Sequence, residues 1–217
     1  TRMDRPEWCA VHPTTGEVYF TLTNNSNRRV EPTGSSQLAP DSANPRGYVD
    51  QKGSTAQNGN PNGHILRMRE GAAGAAATTF TWDVYLFGAE SGANAATVNL
   101  SSLTDDQDFS SPDGLVFSQA TGICWIQTDD GAYTDVTNCM MLAALPGQVG
   151  DGGTLTTKDG QPTRMGAKPT DATVRRFLVG PFDCEITGVT VTPDGKTLFF
   201  NVQHPGEDTA DFATSTF

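Results

Sequence analysis

Charged side chains stand at matching places in a repeated hairpin, and their types suit the binding of a cation. Glu7 lies nine residues before Gly16, and Asp113 lies nine residues before Gly122. Carboxylate oxygens are the donors that hard cations such as Ca2+ take. Several of them held together repel one another unless a cation or protons neutralise them. Arg5 precedes Glu7 by two positions, so both side chains leave an extended strand on the same face. A guanidinium beside a metal-binding carboxylate can grip a phosphoryl group bidentately. Glu185 is a further metal candidate in a third copy, with poorer alignment. Counting back from Pro193 sets Thr187 opposite Glu7 and Glu185 opposite Arg5, so Glu185 reads either as a ligand or as a partner of Arg2 or Arg5.

The elements that must position these groups are short strands joined by turns. A run from Arg5 to Val11, a turn at Gly16 and a run from Val18 to Leu22 make the first copy. Asp113–Phe117, Gly122 and Ile123–Gln127 make the second, and Glu185–Val191, Pro193-Asp194-Gly195 and Leu198–Asn201 the third. A repeated hairpin predicts a repeat architecture, here an all-β protein built of β-propeller blades. Strands at 7–13, 17–24, 63–68 and 80–87 would form one blade, and strands at 113–118, 123–128, 138–144 and 173–179 a second. Strands at 185–191 and 197–203 would begin a third. About two and a half blades cannot close a ring that usually holds about 4–8, so the whole of 1–217 reads as a partial propeller domain, the later part of a longer protein. The alternatives are an unusual open sheet, or an oligomer that completes the ring.

In an antiparallel hairpin the start of the first strand and the end of the second share one end. Glu7 is therefore expected beside Asn24 and Asn25, Asp113 beside Asp129 and Asp130, and Glu185 beside Gln203 and His204. Asp129-Asp130-Gly131 and Pro193-Asp194-Gly195 read foremost as turns. Long segments at 25–62, 88–107 and 147–170 read as loops on the rim, and loops of that length are usually functional or disordered. Arg28, Arg29 and Arg46 lie in the first of them and could reach the mouth of the blades, which makes Arg46 a minor phosphate-binding candidate. His12 and His64 read as structural. The Ala-rich stretch 71–77 predicts a turn, and 99–107 a short helical turn.

Composition narrows the function classes. The 217 residues carry a formal charge of −11, which argues against a nucleic-acid partner held through its phosphates. No apolar run is long enough to span a membrane as a helix. The four cysteines lack metal-finger spacing. Cys124 and Cys139 would face each other as a disulfide if 124–139 were a simple hairpin. Gly-x-Ser-x-Gly, P-loop and His-Glu-x-x-His patterns are absent, so nothing local supports a seryl nucleophile.

Taken in order, Met3-Asp4-Arg5-Pro6-Glu7, Asn62-Gly63-His64-Ile65, Ser111-Pro112-Asp113-Gly114-Leu115, Cys184-Glu185-Ile186-Thr187-Gly188 and Gln203-His204-Pro205-Gly206 resemble the PhoX alkaline phosphatases. The resemblance implies a six-bladed propeller with its active site at one mouth. It implies Fe3+ and Ca2+ as cofactors, small phosphomonoesters as substrates, and export to the periplasm or beyond, with a monomer as the full-length state. It carries phosphate binding onto Arg5 and metal binding onto Glu7 and Asp113. The family's iron-binding cysteine and further carboxylates have no counterpart in these residues. A calcium-dependent propeller lactonase or diesterase, and a non-catalytic propeller scaffold, are the competing readings.

Overall fold

The computed structural model describes residues 1–129, 131–158 and 161–207. Alternation of side chains along β2 (Val18–Leu22) sets the plan. Tyr19 and Thr21 leave one face of the strand, and Phe20 and Leu22 leave the other, so both faces must be covered. β2 is flanked by β1 (Pro6–Val11) and β5 (His64–Glu70), and β6 (Phe80–Phe87) completes an antiparallel sheet in the order β1-β2-β5-β6. The second sheet repeats the meander with β7 (Pro112–Phe117), β8 (Cys124–Thr128), β9 (Met140–Ala144) and β12 (Val174–Val179). β13 (Glu185–Val191) and β14 (Leu198–Gln203) form the hairpin of a third. The chain is all-β, as the repeat predicts, and each predicted blade strand is present within a few residues of its expected span.

The blades stack face to face through apolar layers. Tyr19, Ile65 and Tyr85 from the first sheet interleave with Leu115, Phe117, Ile126 and Leu142 from the second. The far face of the second sheet, with Trp125 and Met141, meets Ile186 and Val189 of the third. The outer face of the first sheet, with Leu22, Leu66 and Val84, is covered in part by Leu100 and Met165 from loops. β7 touches β1 on one side and β13 on the other, so the leading strands of the three sheets lie side by side, as they do around a propeller axis.

Two of the long segments are more ordered than their polar sequences suggest. The stretch 25–62 contains a hairpin of β3 (Tyr48–Lys52) and β4 (Thr55–Gly59), and 147–170 contains β10 (Thr154–Thr156) paired with β11 (Pro162–Arg164). The Ala-rich stretch makes a single 3-10 turn at Gly74–Ala76. The segment 99–107 forms turns closed by Asn99, whose Oδ1 accepts from the Leu103 N–H at 2.8 Å. Among the described residues no helix is long and apolar enough to cross a membrane.

The Cys124–Cys139 pairing does not occur, and none of the four cysteines forms a disulfide. β8 and β9 pair with Cys124 opposite Ala144 and Gln127 opposite Met141. That register puts Cys139 at the other end of the strand pair.

Arg67 ties an insertion to the first sheet. Fully buried, it donates to both oxygens of buried Asp83, Nε to Oδ1 at 2.7 Å and Nη2 to Oδ2 at 2.9 Å. Nη2 also reaches the Gln148 carbonyl and Asp151 Oδ1, each at 2.6 Å. Removing one partner of such a pair strands the other charge, at a cost of about 3–5 kcal/mol. Arg67→Met, which strands the buried Asp83 carboxylate, is accordingly expected to lower unfolding free energy by about that amount in urea denaturation. The exposed pair of Arg175 and Asp106 is a control, where Asp106→Ala should change stability by less than about 1 kcal/mol.

Candidate metal centre

Each of the three leading strands is approached through a residue in the left-handed region. Arg5 has φ 44°, Ser111 47° and Asp183 50°. Such angles are uncommon outside glycine, so surrounding contacts must enforce them. Two residues beyond each stands a carboxylate, Glu7, Asp113 and Glu185 in turn. Counted from this end, Glu185 takes the same place in its repeat as Glu7 and Asp113. Counted from the turn glycines Gly16, Gly122 and Gly195, all with positive φ, Glu185 stands ten residues back instead of nine. The third hairpin is one residue longer on that side, which is why Glu185 looks out of step in sequence.

Bulges then re-aim the first two of these side chains, Glu7 and Asp113. Pairing slips between Pro6 and Cys9, where Glu7 and Trp8 oppose Thr21. It slips likewise between Pro112 and Leu115, where Asp113 and Gly114 oppose Gln127. The Thr21 hydroxyl accepts from the Trp8 N–H at 2.9 Å and donates to the Asp113 carbonyl at 2.7 Å. One hydroxyl therefore fastens the first bulge to the second blade.

The result is an acidic cluster. Asp113, Asp129 and Glu185 each offer a carboxylate oxygen within 4.8 Å of the others. Two oxygens bound to one Ca2+ at about 2.3–2.6 Å can lie no further apart than about 5 Å, and the cluster meets that limit. Asp129 was read as a turn residue, but its backbone N–H donates to the Ser111 carbonyl at 3.2 Å. That bond holds it beside Asp113, where the hairpin geometry expects it. Asp130 lies outside the described residues. Asp194 is the turn residue expected, with its Oδ1 accepting from the Thr192 hydroxyl at 2.6 Å and the Lys196 N–H at 3.1 Å.

Glu7 and Arg5 stand beside the cluster. Arg5 Nη1 donates to Asn24 Oδ1 at 2.8 Å, and Nη2 lies 3.5 Å from Glu7 Oε1. The Arg5 side chain is 59% exposed, so most of its donors face solvent. Glu185 Oε2 accepts from Gln203 Nε2 at 2.8 Å and lies 3.8 Å from His204 Nε2. Partial burial, then the charges of Glu7, Glu185 and Asp129, push Asp113 up to about 6, against a smaller pull from Arg5. Burial and the Asp129 charge also raise Glu185, against the Thr187 hydroxyl and His204.

Arg46 is not at this mouth, and the structure withdraws it from the phosphate-binding set. It is buried, and Nη1 and Nη2 donate to the carbonyls of Gly88, Val98 and Gly63 and to Asn60 Oδ1, at 2.5–2.8 Å. Arg28 is likewise buried, against Asp4, and Arg29 Nη1 caps the Ser26 and Arg28 carbonyls. His12 and His64 are structural as read. His12 Nδ1 accepts from the Thr14 and Thr15 N–H groups, each at 3.2 Å. His64 is buried between the Ala43 carbonyl and Asn60, and burial lowers it to about 4.

An all-β stack with an acidic mouth beside an exposed arginine defines a class, and comparison with known proteins gives its family. Residues 1–206 match the family described as alkaline phosphatase PhoX, and the chain belongs to that family. A solved structure described as Pseudomonas fluorescens PhoX in complex with vanadate, a transition state analogue, is similar, with a TM-score of 0.68 and 36% identity. The match covers 97% of this chain and 31% of that one, so the chain spans about a third of that relative's length. Comparison with curated proteins gives no match.

The raised Asp113 carries a pH signature. Its folded value of about 6 lies above the ordinary 3.8, so the folded chain holds this proton more tightly than the unfolded chain does. Its contribution to stability is full below about 3.8 and is lost as pH rises through about 6. In chelator, Tm is expected to rise between pH 7 and pH 5, and Asp113→Asn should flatten that slope. Saturating Ca2+ should raise Tm most at pH 7, where the carboxylates are ionised.

Proposed function

We propose that this chain supplies one side of a metal-dependent active site that hydrolyses small phosphomonoesters to inorganic phosphate, within a longer PhoX-type alkaline phosphatase. The convergence of Arg5 and three carboxylates at one mouth, in a member of this family, carries the reading. The vanadate complex of the relative supports a phosphoryl-transfer site in the family.

The donor set fits a hard cation. Asp113, Asp129 and Glu185 would hold Ca2+, with Glu7 beside them as a further carboxylate for the same cation. When bound, such a cation neutralises phosphate charge and polarises a phosphoryl oxygen. The cysteines do not supply an Fe3+ site, since Cys124, Cys139 and Cys184 are buried in the layers between blades and Cys9 lies on exposed β1. In this reading Fe3+ takes its ligands from other parts of the complete protein.

Arg5 binds the phosphate. Asn24 and Glu7 hold its guanidinium from one side, which leaves N–H groups free to take two phosphoryl oxygens. That bidentate grip strengthens as charge gathers on those oxygens in the transition state. Gln203 fixes the Glu185 carboxylate, and Asp4, buried against Arg28, holds the backbone just before Arg5. The arginine favours a phosphoryl substrate over a lactone, which offers no paired anionic oxygens. Export to the periplasm or the medium, and a monomeric complete enzyme, complete the proposal.

The complete enzyme separates the roles. Arg5→Ala should lower kcat/KM for p-nitrophenyl phosphate by about 100- to 1,000-fold, with bound metal unchanged by elemental analysis. Glu7→Ala and Asp113→Ala should lose Ca2+ and turnover together. Full metal content and activity in Glu7→Ala would overturn the assignment.

A further inference from the structure

Beneath the carboxylates of the mouth lies an amide that the fold itself does not use. Gln127 is fully buried, and neither its Oε1 nor its Nε2 has a hydrogen-bond partner. Among the described residues it is the one side chain with two such atoms. The same face of β8 carries Trp125, which packs with Met141 and Ile186 in an apolar layer. A buried polar group without a partner is costly, and an apolar side chain would fill this place without that cost.

The position of Gln127 in the repeat directs it to the mouth. It stands five residues past Gly122, as Thr21 stands five past Gly16. Each faces a bulge that carries a carboxylate: Thr21 opposes Glu7 and Trp8, and Gln127 opposes Asp113 and Gly114. The Thr21 hydroxyl is engaged by backbone on both sides, whereas the longer amide of Gln127 is not engaged at all. Gly114 leaves room for it, since a Cβ there would meet Gln127 Oε1 at 2.5 Å. Asp129 follows Gln127 by two residues, on the same face of the strand. The ladder reaches that far. The Asp129 N–H donates to the Ser111 carbonyl at 3.2 Å, and the Ser111 N–H to the carbonyl of Asn62, at the end of the first insertion (25–62), at 3.0 Å. Gln127 is thus flanked by Asp113 across the ladder and by Asp129 along the strand. These are two of the three residues whose carboxylate oxygens converge within 4.8 Å.

We propose that Gln127 is a ligand of the same cation as Asp113, Asp129 and Glu185, supplying a neutral oxygen from beneath them. The inference rests on the cation site proposed above and extends its ligand set. Ca2+ takes about six to eight oxygens, more than three carboxylates supply with one oxygen each. A further carboxylate at this depth would add repulsion to a cluster already crowded with like charge. An amide carbonyl adds an oxygen and no charge. With Oε1 on a cation, the amide N–H groups are left to donate to a neighbouring carboxylate, so one binding event satisfies both orphaned atoms.

Calorimetric titration of the metal-stripped complete enzyme with Ca2+ tests this. Asp113→Ala identifies the binding event of this site by removing it. Gln127→Met, of similar length and without the amide, should weaken that event by about 10- to 100-fold, with Tm in chelator unchanged or raised. Gln127→Leu should do the same. In crystals of the Ca2+-loaded enzyme, Gln127 Oε1 should lie about 2.3–2.6 Å from a cation. Affinity within about twofold of the unaltered enzyme in both Gln127 variants, while Asp113→Ala loses the event, would overturn this inference and leave the cation site standing. So would a loaded crystal in which Gln127 Oε1 meets only water or protein, a result that does not depend on how the variants fold. If Asp113→Ala removes no Ca2+ binding event, the cation site itself fails, and the role of Gln127 with it.

Discussion

The buried carboxylate of Asp4 fixes the approach to the first blade, and the geometry of the mouth follows from it. Its Oδ1 accepts from Arg28 Nε at 3.1 Å, Arg28 Nη2 at 2.7 Å and Asn25 Nδ2 at 2.7 Å, and its Oδ2 from Asn60 Nδ2 at 3.2 Å. Its own N–H donates to Asn44 Oδ1 at 3.0 Å. Four donors from three parts of the first insertion thus converge on one side chain, which is how a fully buried charge is made tolerable. The next residue is Arg5, held in a left-handed conformation, and the bulge carrying Glu7 follows. The first insertion therefore acts as a brace for Arg5 and Glu7.

Repetition and repulsion together explain the acidic cluster. Each blade starts with the same motif, a left-handed residue followed two positions later by an acid, and stacking places those starts together. Partial burial, and then the like charges around them, raise the proton affinity of Asp113 and Glu185. Stability is given up locally for a site poised to accept positive charge. The rest of the stack offsets that strain through dry inter-blade layers and the Arg67–Asp83 pair.

Much of this was legible in sequence, because blade strands announce themselves by alternation and by turns. The pattern at 113–118 predicts the strand found at Pro112–Phe117, and that at 197–203 the strand at Leu198–Gln203. The pair β3 and β4 escaped notice because Tyr48-Val49-Asp50-Gln51-Lys52 and Thr55-Ala56-Gln57-Asn58-Gly59 are mostly polar and cover no core. Glu185 was misregistered by a hairpin one residue longer than its siblings. Asp129 was hidden by Asp-Asp-Gly, which reads as a turn by local chemistry alone. Arg46 follows Asn44-Pro45 and looks like a surface loop residue, since its acceptors come from distant segments of the chain. Counting repeats from the left-handed residue, rather than from the turn, aligns Glu185, and hairpin geometry points to Asp129, but no local pattern marks the burial of Arg46.

The Thr21 hydroxyl, shared between the Trp8 amide and the Asp113 carbonyl, ties neighbouring sheets without locking their side chains. Glu7, Asp113 and Glu185 each ride on a separate sheet, so breathing of the stack alters the span between oxygens. Such a cradle discriminates by tolerance: an ion accepting variable coordination at longer bonds suits it, whereas one demanding a tight octahedron does not. In the proposed cation-binding role, ionic selectivity would then be a property of how stiffly the blades are stacked, rather than of the carboxylates themselves.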